Sequence, residues 1–328
     1  MSVVLARGVG NSLTMTAEAE NLEDRDALLV HADRLCARGD PRGELIMVQD
    51  TLERAPTPDL HRRQAELLSD PRLGLPGDLG GRVRATWRRG FFDVVIIDLE
   101  SEPDPRGADV IRAVLRHPSA RLLGELTVGF RGRGARYREV VEALEASRAP
   151  ALRHLALGTR GAHLGRAELG EVMPLLRLFP RLESLALRGR SVRGAASSSL
   201  RALTLELERW DRAAAGMAAS PGLEALTFNA PFLPWGRWLL THRPGITRLG
   251  WRGPAVDHSC IAALVRSELA AGLAELDLSG SAITDADLEL FYDSRSTLSA
   301  LEAVDVRDTR LTARGLARLR GLVERVVE

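Results

Sequence analysis

The chain has 328 residues, of which 45% are hydrophobic and 27% charged, with a formal net charge of +1. No apolar run approaches the roughly 20 residues of a membrane-spanning helix, and the near-neutral balance gives no global field toward nucleic acid. All 45 basic residues are arginine, which excludes a P-loop lysine, a Schiff-base lysine and a kinase-type ATP lysine.

Residues 1–20 carry neither a clear period nor the basic start and apolar stretch of a secretory signal, and read as a loose lead-in. Asn21 is placed to cap a helix carrying Leu22, Leu28, Leu29, Ala32 and Leu35, with Gly39 just past its end. Asp40 then caps a second helix with Pro41 at its first position, where the missing N–H costs nothing. That helix runs through Leu45, Ile46, Val48, Gln49 and Leu52 and ends before Pro56; a third spans Pro58 to Leu68. Two further helical turns are expected around Leu79 to Ala85. Cys36 and Cys260 lie far apart in different elements, as two reduced, packing cysteines of a cytoplasmic protein would.

His31 to Glu53 (HADRLCARGDPRGELIMVQDTLE), followed by Trp87-Arg88-Arg89-Gly90-Phe91, resembles a bacterial repeat-companion domain. The match rests on Asp33, Leu35 and the run Gly39-Asp40-Pro41-Arg42-Gly43-Glu44-Leu45, and covers roughly residues 22 to 100. Such domains precede leucine-rich-repeat arrays, particularly in myxobacteria and planctomycetes. The resemblance implies architecture and brings no chemistry.

From Phe91 onward an L-x-x-L-x-L frame recurs: Phe91/Val94/Ile96, Leu123/Leu126/Val128, Leu152/Leu155/Leu157, Leu182/Leu185/Leu187 and Leu200/Leu203/Leu205, then Leu223/Leu226/Phe228, Ile246/Leu249/Trp251, Leu273/Leu276/Leu278 and Leu301/Val304/Val306. First positions differ by 32, 29, 30, 18, 23, 23, 27 and 28. The clearest copy is GLAELDLSGSAITDADLELF, Gly272 to Phe291. Each strand carries inward apolar residues that one repeat cannot bury, so neighbours must stack. Helix-like stretches intervene at Tyr137 to Ser147, Leu169 to Leu178, Ile261 to Leu269 and, capped by Thr312, Ala313 to Val323. Repeats of this length resemble the ribonuclease-inhibitor type, with parallel strands on the concave side of a horseshoe and helices on the convex side. The asparagine that usually follows the strand motif is mostly missing, Asn229 being the nearest case, and the interval of 18 leaves room for little more than a turn.

The expected fold is therefore α/β: a leucine-rich-repeat solenoid with a small α-helical domain before it. The expected division is a lead-in over 1–20, a helical domain over 21–86 and about nine irregular repeats over 87–328.

Chemistry has few footholds. The seven histidines form no H-x-x-x-H or H-E-x-x-H pair and there is no C-x-x-C, so no metal or cofactor is expected. Asp40 and Gly39 read as helix punctuation, and Arg42 and Glu44 as ion pairs. GFRGRGARYR, Gly129 to Arg138, could hold a phosphate or single-stranded RNA, but a solvated turn is the simpler reading. Trp235 and Trp238 sit three apart, as on a helix with one ring turned inward.

Period-two alternation marks the residues facing outward from the strands. Those chosen as partner-binding candidates are His154, Arg188, Glu206, Asn229, Arg248, Arg252, Glu275, Asp277, Asp305 and Arg307. The middle of this surface is small and neutral, and its C-terminal third is charged in both signs. The expected function is a non-enzymatic module that binds a protein partner on the concave face, with the partner's identity and the oligomeric state open. Two alternatives stand beside it: a regulator of a small GTPase or other nucleotide-hydrolysing partner, and a cryptic enzyme or nucleic-acid binder using Arg131 to Arg138.

Overall fold

Three helices open the chain in a computed structural model that describes residues 22, 24–75, 79, 81–99, 107–130, 135–146, 149, 151–158, 169–229, 240 and 245–328. They span Arg25–Ala37, Pro41–Arg54 and Pro58–Leu68. The first is capped by Asp24, whose carboxylate accepts the Ala27 N–H, three residues later in the chain than the expected Asn21. Asp40 caps the second through the Arg42 N–H, and Thr57 caps the third, each followed by a proline. The lead-in over 1–20 lies outside the described residues.

The chain divides into two compact units: Met1–Phe130 with Arg138–Ala156 and Arg177–Leu182, and Arg131–Tyr137 with Leu157–Leu176 and Glu183–Glu328. In the first unit the first two helices approach so closely at Gly43 that a Cβ there would lie 2.5 Å from the Ala32 carbonyl oxygen and 2.6 Å from Cys36 Sγ. Cys36 is nonetheless exposed on the helix surface, unlike the expected packed thiol, whereas Cys260 is buried.

After the helices comes a hairpin, β1 (Val83–Arg88) and β2 (Phe91–Leu99), where two helical turns were expected. Its turn residues Arg89 and Gly90 both have positive φ, 51° and 75°, as a two-residue hairpin turn of the favoured hand requires. Thr86 pairs with Val94 but Trp87 with Phe92, so Asp93 is an extra, bulged residue. Pairing with the next strand corrects the first repeat frame. Val95 and Ile97 pair with Leu126 and Val128 of β3 (Glu125–Phe130), so the inward set is Phe92, Val95 and Ile97, one residue later than the expected Phe91, Val94 and Ile96. Helix Gly107–Arg116 joins β2 to β3, and β4 (His154–Leu157) follows β3 in strand order.

Among the described residues the second unit contains seven strands: β5 (Ser184–Gly189), β6 (Ala202–Leu207), β7 (Ala225–Phe228), β8 (Arg248–Trp251), β9 (Glu275–Asp277), β10 (Ala303–Asp305) and β11 (Arg325–Val327). Each pairs in parallel with the next, in chain order. Leu203, Leu205, Leu226, Phe228, Leu249, Trp251, Leu276, Leu278, Val304 and Val306 are all buried, each fully buried large side chain contributing about 1.5–3 kcal/mol relative to exposure. Helices Arg212–Ala218, His258–Val265 and Ala313–Leu319 are capped by Asp211, Asp257 and Thr312 immediately before them. Asp285 accepts hydrogen bonds from the Thr312 backbone N–H at 2.8 Å and its hydroxyl at 2.5 Å, tying one repeat to the next.

All nine expected strand frames fall on strands, β2 to β10. No helix separates β5 from β6, matching the interval of 18. Four helix bounds differ, the first being Ala135–Glu145 where Tyr137 to Ser147 was expected. Only Met173–Leu178 is helical in the Leu169 region, because Glu171 forms a bridge with Arg193. Helix His258–Val265 is followed by a separate 3-10 turn, Glu268–Gly272. The last helix ends at Leu319, and the chain continues into β11 rather than a longer capping helix.

Candidate binding face

The residues that carry the companion-domain resemblance have structural roles. Gly39 takes φ 69° just past the first helix. Asp40 receives the Arg42 guanidinium as well as its N–H, and these bonds hold its carboxyl below the usual range. Glu44 pairs with Arg63 at 2.6 Å. Leu45 packs with Val48, Leu67 and Leu73. The downstream part of the motif docks on this helical pair: Phe91 joins Leu28, Ala32, Leu35 and Ile46 in one core cluster, and Trp87 lies against the other.

On the strand face of the second unit, charge links the third outward row of side chains and reaches into the second at Asp277. Arg188 Nε donates to Glu206 Oε2 at 2.9 Å. Arg252 Nη1 donates to Glu206 Oε1 at 3.3 Å, and its Nε donates to Asp277 Oδ2 at 2.6 Å. Burial pushes the Asp277 carboxyl up, but hydrogen bonds from Arg252 and the Ser279 N–H outweigh it and hold the group low. Burial likewise works against the Arg252 charge, and Asp277 and Glu206 restore it. The result is a neutral Arg–Glu–Arg–Asp ladder across β5 to β9. Asp305 and Arg307 form a second, local pair.

Two of the ten candidates are less available than alternation predicts. Arg188 is only 8% exposed. Asn229 has its amide turned to the scaffold: Oδ1 accepts the Leu207 N–H at 2.9 Å and Trp210 Nε1–H at 3.0 Å, while Nδ2 donates to the Leu207 carbonyl at 3.0 Å. Arg248, Glu275 and Arg307 are exposed, and Glu206, Arg252, Asp277 and Asp305 half-buried.

Over the first two outward rows lies a groove of about 350 Å³, lined by Ala202, Ala225, Arg248, Glu275, Ala303 and Arg325 in register, and then by Thr227, Gly250, Asp277 and Asp305. Over β6 to β8 its floor is made of small side chains, Ala202, Ala225, Thr227 and Gly250. Gly250 has no room for more, since a Cβ there would lie 2.7 Å from Thr227 Cγ2.

His154, the tenth candidate, belongs to the first unit. It is exposed at the start of β4 and lines a cavity of about 430 Å³ with Arg88, Arg89, Asp93, Glu125 and Arg153. Arg131 to Gly134, Trp235 and Trp238 lie outside the described residues. Tyr137, at the end of the arginine-rich run, is buried and donates to the Glu171 carbonyl at 3.3 Å, so its ring does not offer a stacking platform. Among the described residues no group of three or more His, Cys, Asp or Glu side chains is arranged to hold a metal ion, and no helix is long and apolar enough to cross a membrane. Sequence reasoning missed one ordered polar pair, His258 Nδ1 with the buried Asp287 at 2.7 Å; the two lie 29 residues apart, and no spacing rule links them.

No family model matches the chain, and no curated protein matches it. Among solved structures it is similar to a protein of Bacteroides fragilis from a structural genomics consortium, at 15% identity and a TM-score of 0.55, covering 67% of this chain and 69% of that one. It also aligns with an internalin of Listeria monocytogenes at 15% identity and a TM-score of 0.28, covering 71% and 86%. The first likeness is one of fold. With in-order parallel strands that bury an L-x-x-L-x-L frame, that fold is leucine-rich-repeat-like.

Proposed function

We propose that the chain is a protein-interaction module of leucine-rich-repeat type, and that it holds a segment of a partner protein on the strand face of its second unit. The observation that supports this most is the groove over Ala202, Ala225, Thr227 and Gly250. A floor of small side chains lets another chain approach the sheet closely, and the flanking charges orient it. The leucines of the same strands are buried and serve as scaffold.

The test uses random peptides displayed on phage and selected on the full chain. Enriched clones should lose binding to Ala225→Arg, which fills the groove, and keep it with Arg212→Glu on an exposed helix surface. Failure to enrich any clone, or clones indifferent to Ala225→Arg, would overturn the reading.

A further inference from the structure

The groove's charges are nearly all answered from within. Arg325 reaches Glu275 at 3.3 Å, Arg252 is held by Asp277 and Glu206, and Arg307 by Asp305. Arg248 stands apart. It is exposed on β8, with Ala225 beside it in register on one flank and Glu275 on the other, yet Glu275 is taken by Arg325. Among the described residues, the Arg248 guanidinium makes no hydrogen bond or ion pair.

An unanswered guanidinium at the side of a groove is a recognition element of defined chemistry. Its planar fork matches a carboxylate through two parallel N–H···O bonds, stronger than neutral hydrogen bonds. The lining crosses from β6 to β11, five strand spacings of about 4.8 Å, or roughly 24 Å, enough for about seven residues of an extended chain at about 3.3 Å each. The other cations at the groove, Arg325, Arg252 and Arg307, are already paired with Glu275, Asp277 and Asp305, so a polyanion would find one arginine to meet rather than a basic track. The favoured occupant carries one acid at one place.

We propose that Arg248 is the specificity-determining residue of this groove, and that the occupant is an extended protein segment with small side chains over Ala225 and Gly250 and an Asp or Glu side chain paired with Arg248. This rests on the strand face being the binding surface. Selecting displayed random peptides in parallel on the wild-type chain and on Arg248→Glu tests it. The wild-type pool should fix Asp or Glu at one position, and the Arg248→Glu pool should replace it with Lys or Arg. A synthetic peptide from the wild-type pool should lose about tenfold or more in affinity when its acid becomes Asn or Gln, or when the protein carries Arg248→Gln, the worth of one charge-assisted contact. Its C-terminally amidated form should bind as well as the free acid. Arg248 is exposed, so both variants should unfold with the wild-type transition; Arg248→Gln carries the test if Arg248→Glu does not. A pool without a fixed acid, an acid that persists on Arg248→Glu, or a peptide that needs its free C-terminus would overturn the proposal. If Ala225→Arg still abolishes binding in those cases, the strand face remains the binding surface and only the role of Arg248 falls.

Discussion

Gln49 Oε1 accepts the backbone N–H of Gly90 at 2.7 Å across 41 residues of sequence, in a buried setting. The Gln49 amide nitrogen also donates to the Trp87 carbonyl at 3.3 Å. One side chain on the second helix thus holds both sides of the β1–β2 turn, and Gly90 packs so tightly that a Cβ would lie 2.4 Å from Ile46 Cγ1.

Gln49→Ala should therefore destabilise the chain by about 1–3 kcal/mol, the cost of leaving a buried N–H unpaired. Gly90→Ala should cost a similar amount by combining overpacking with φ 75°. Urea unfolding curves measure both, and a wild-type midpoint for either variant would show that the hairpin is held otherwise.

These contacts explain what could be read in the sequence and what could not. Leucine periodicity located nine strands because each repeats the same apolar frame, which is buried against its stacked neighbours. Residues Val83 to Arg88 do alternate strictly, Val83, Ala85 and Trp87 against Arg84, Thr86 and Arg88, as a half-buried strand should, and the expected helical turns passed over that period. The Phe91 frame slipped because Phe91-Phe92, Val94-Val95 and Ile96-Ile97 are doubled, so the frame fits equally one residue later and only pairing with β3 decides between them. The last helix was expected to run to Val323 but ends at Leu319, and Arg325–Val327 beyond it is too short a strand for its period to show. On the candidate face, alternation showed which side chains point outward. It could not show that Arg188 and Glu206 neutralise each other, or that Asn229 turns back to Leu207, since both depend on reach between strands.

The Gly43 crossing makes a second prediction. Gly43→Ala places a methyl against the Ala32 carbonyl and Cys36, and should lower stability by about 1–3 kcal/mol through overpacking. Cys36→Ala in the same chain should recover part of the loss by removing one of the two obstacles, which a double-mutant cycle would read.

A pH dependence follows from two histidines beside the docking phenylalanines. His31 stacks on Phe91 with centroids 6.3 Å apart, and His117 on Phe92 at 5.1 Å. Burial, and then the charge of Arg42, lowers both from the ordinary value of 6.5. The folded state thus favours neutral imidazoles. Their contribution is complete above about pH 6.5, declines as pH falls below it, and is gone below the lowered folded values. Stability should drop between pH 7.5 and 5.5, and His31→Leu should shrink that drop; an unchanged pH slope would remove His31 from the account.

The charge ladder gives a fourth expectation. Arg252→Ala strips the half-buried Asp277 and Glu206 of their shared partner and should cost about 1–3 kcal/mol. Arg248→Ala, which breaks no pair, should leave stability within about 0.5 kcal/mol of wild type. Thermal unfolding separates them, and equal losses would mean that Arg248 is tied to the scaffold after all.

The strand face itself is tested most directly by locating a bound segment. A peptide selected on the full chain, carrying a photo-cross-linking group and irradiated in complex, should form its adducts on Ala225, Thr227, Arg248 or Gly250 of β7 and β8. Adducts confined to helix surfaces such as Arg212–Ala218, with none on these strands, would contradict the account.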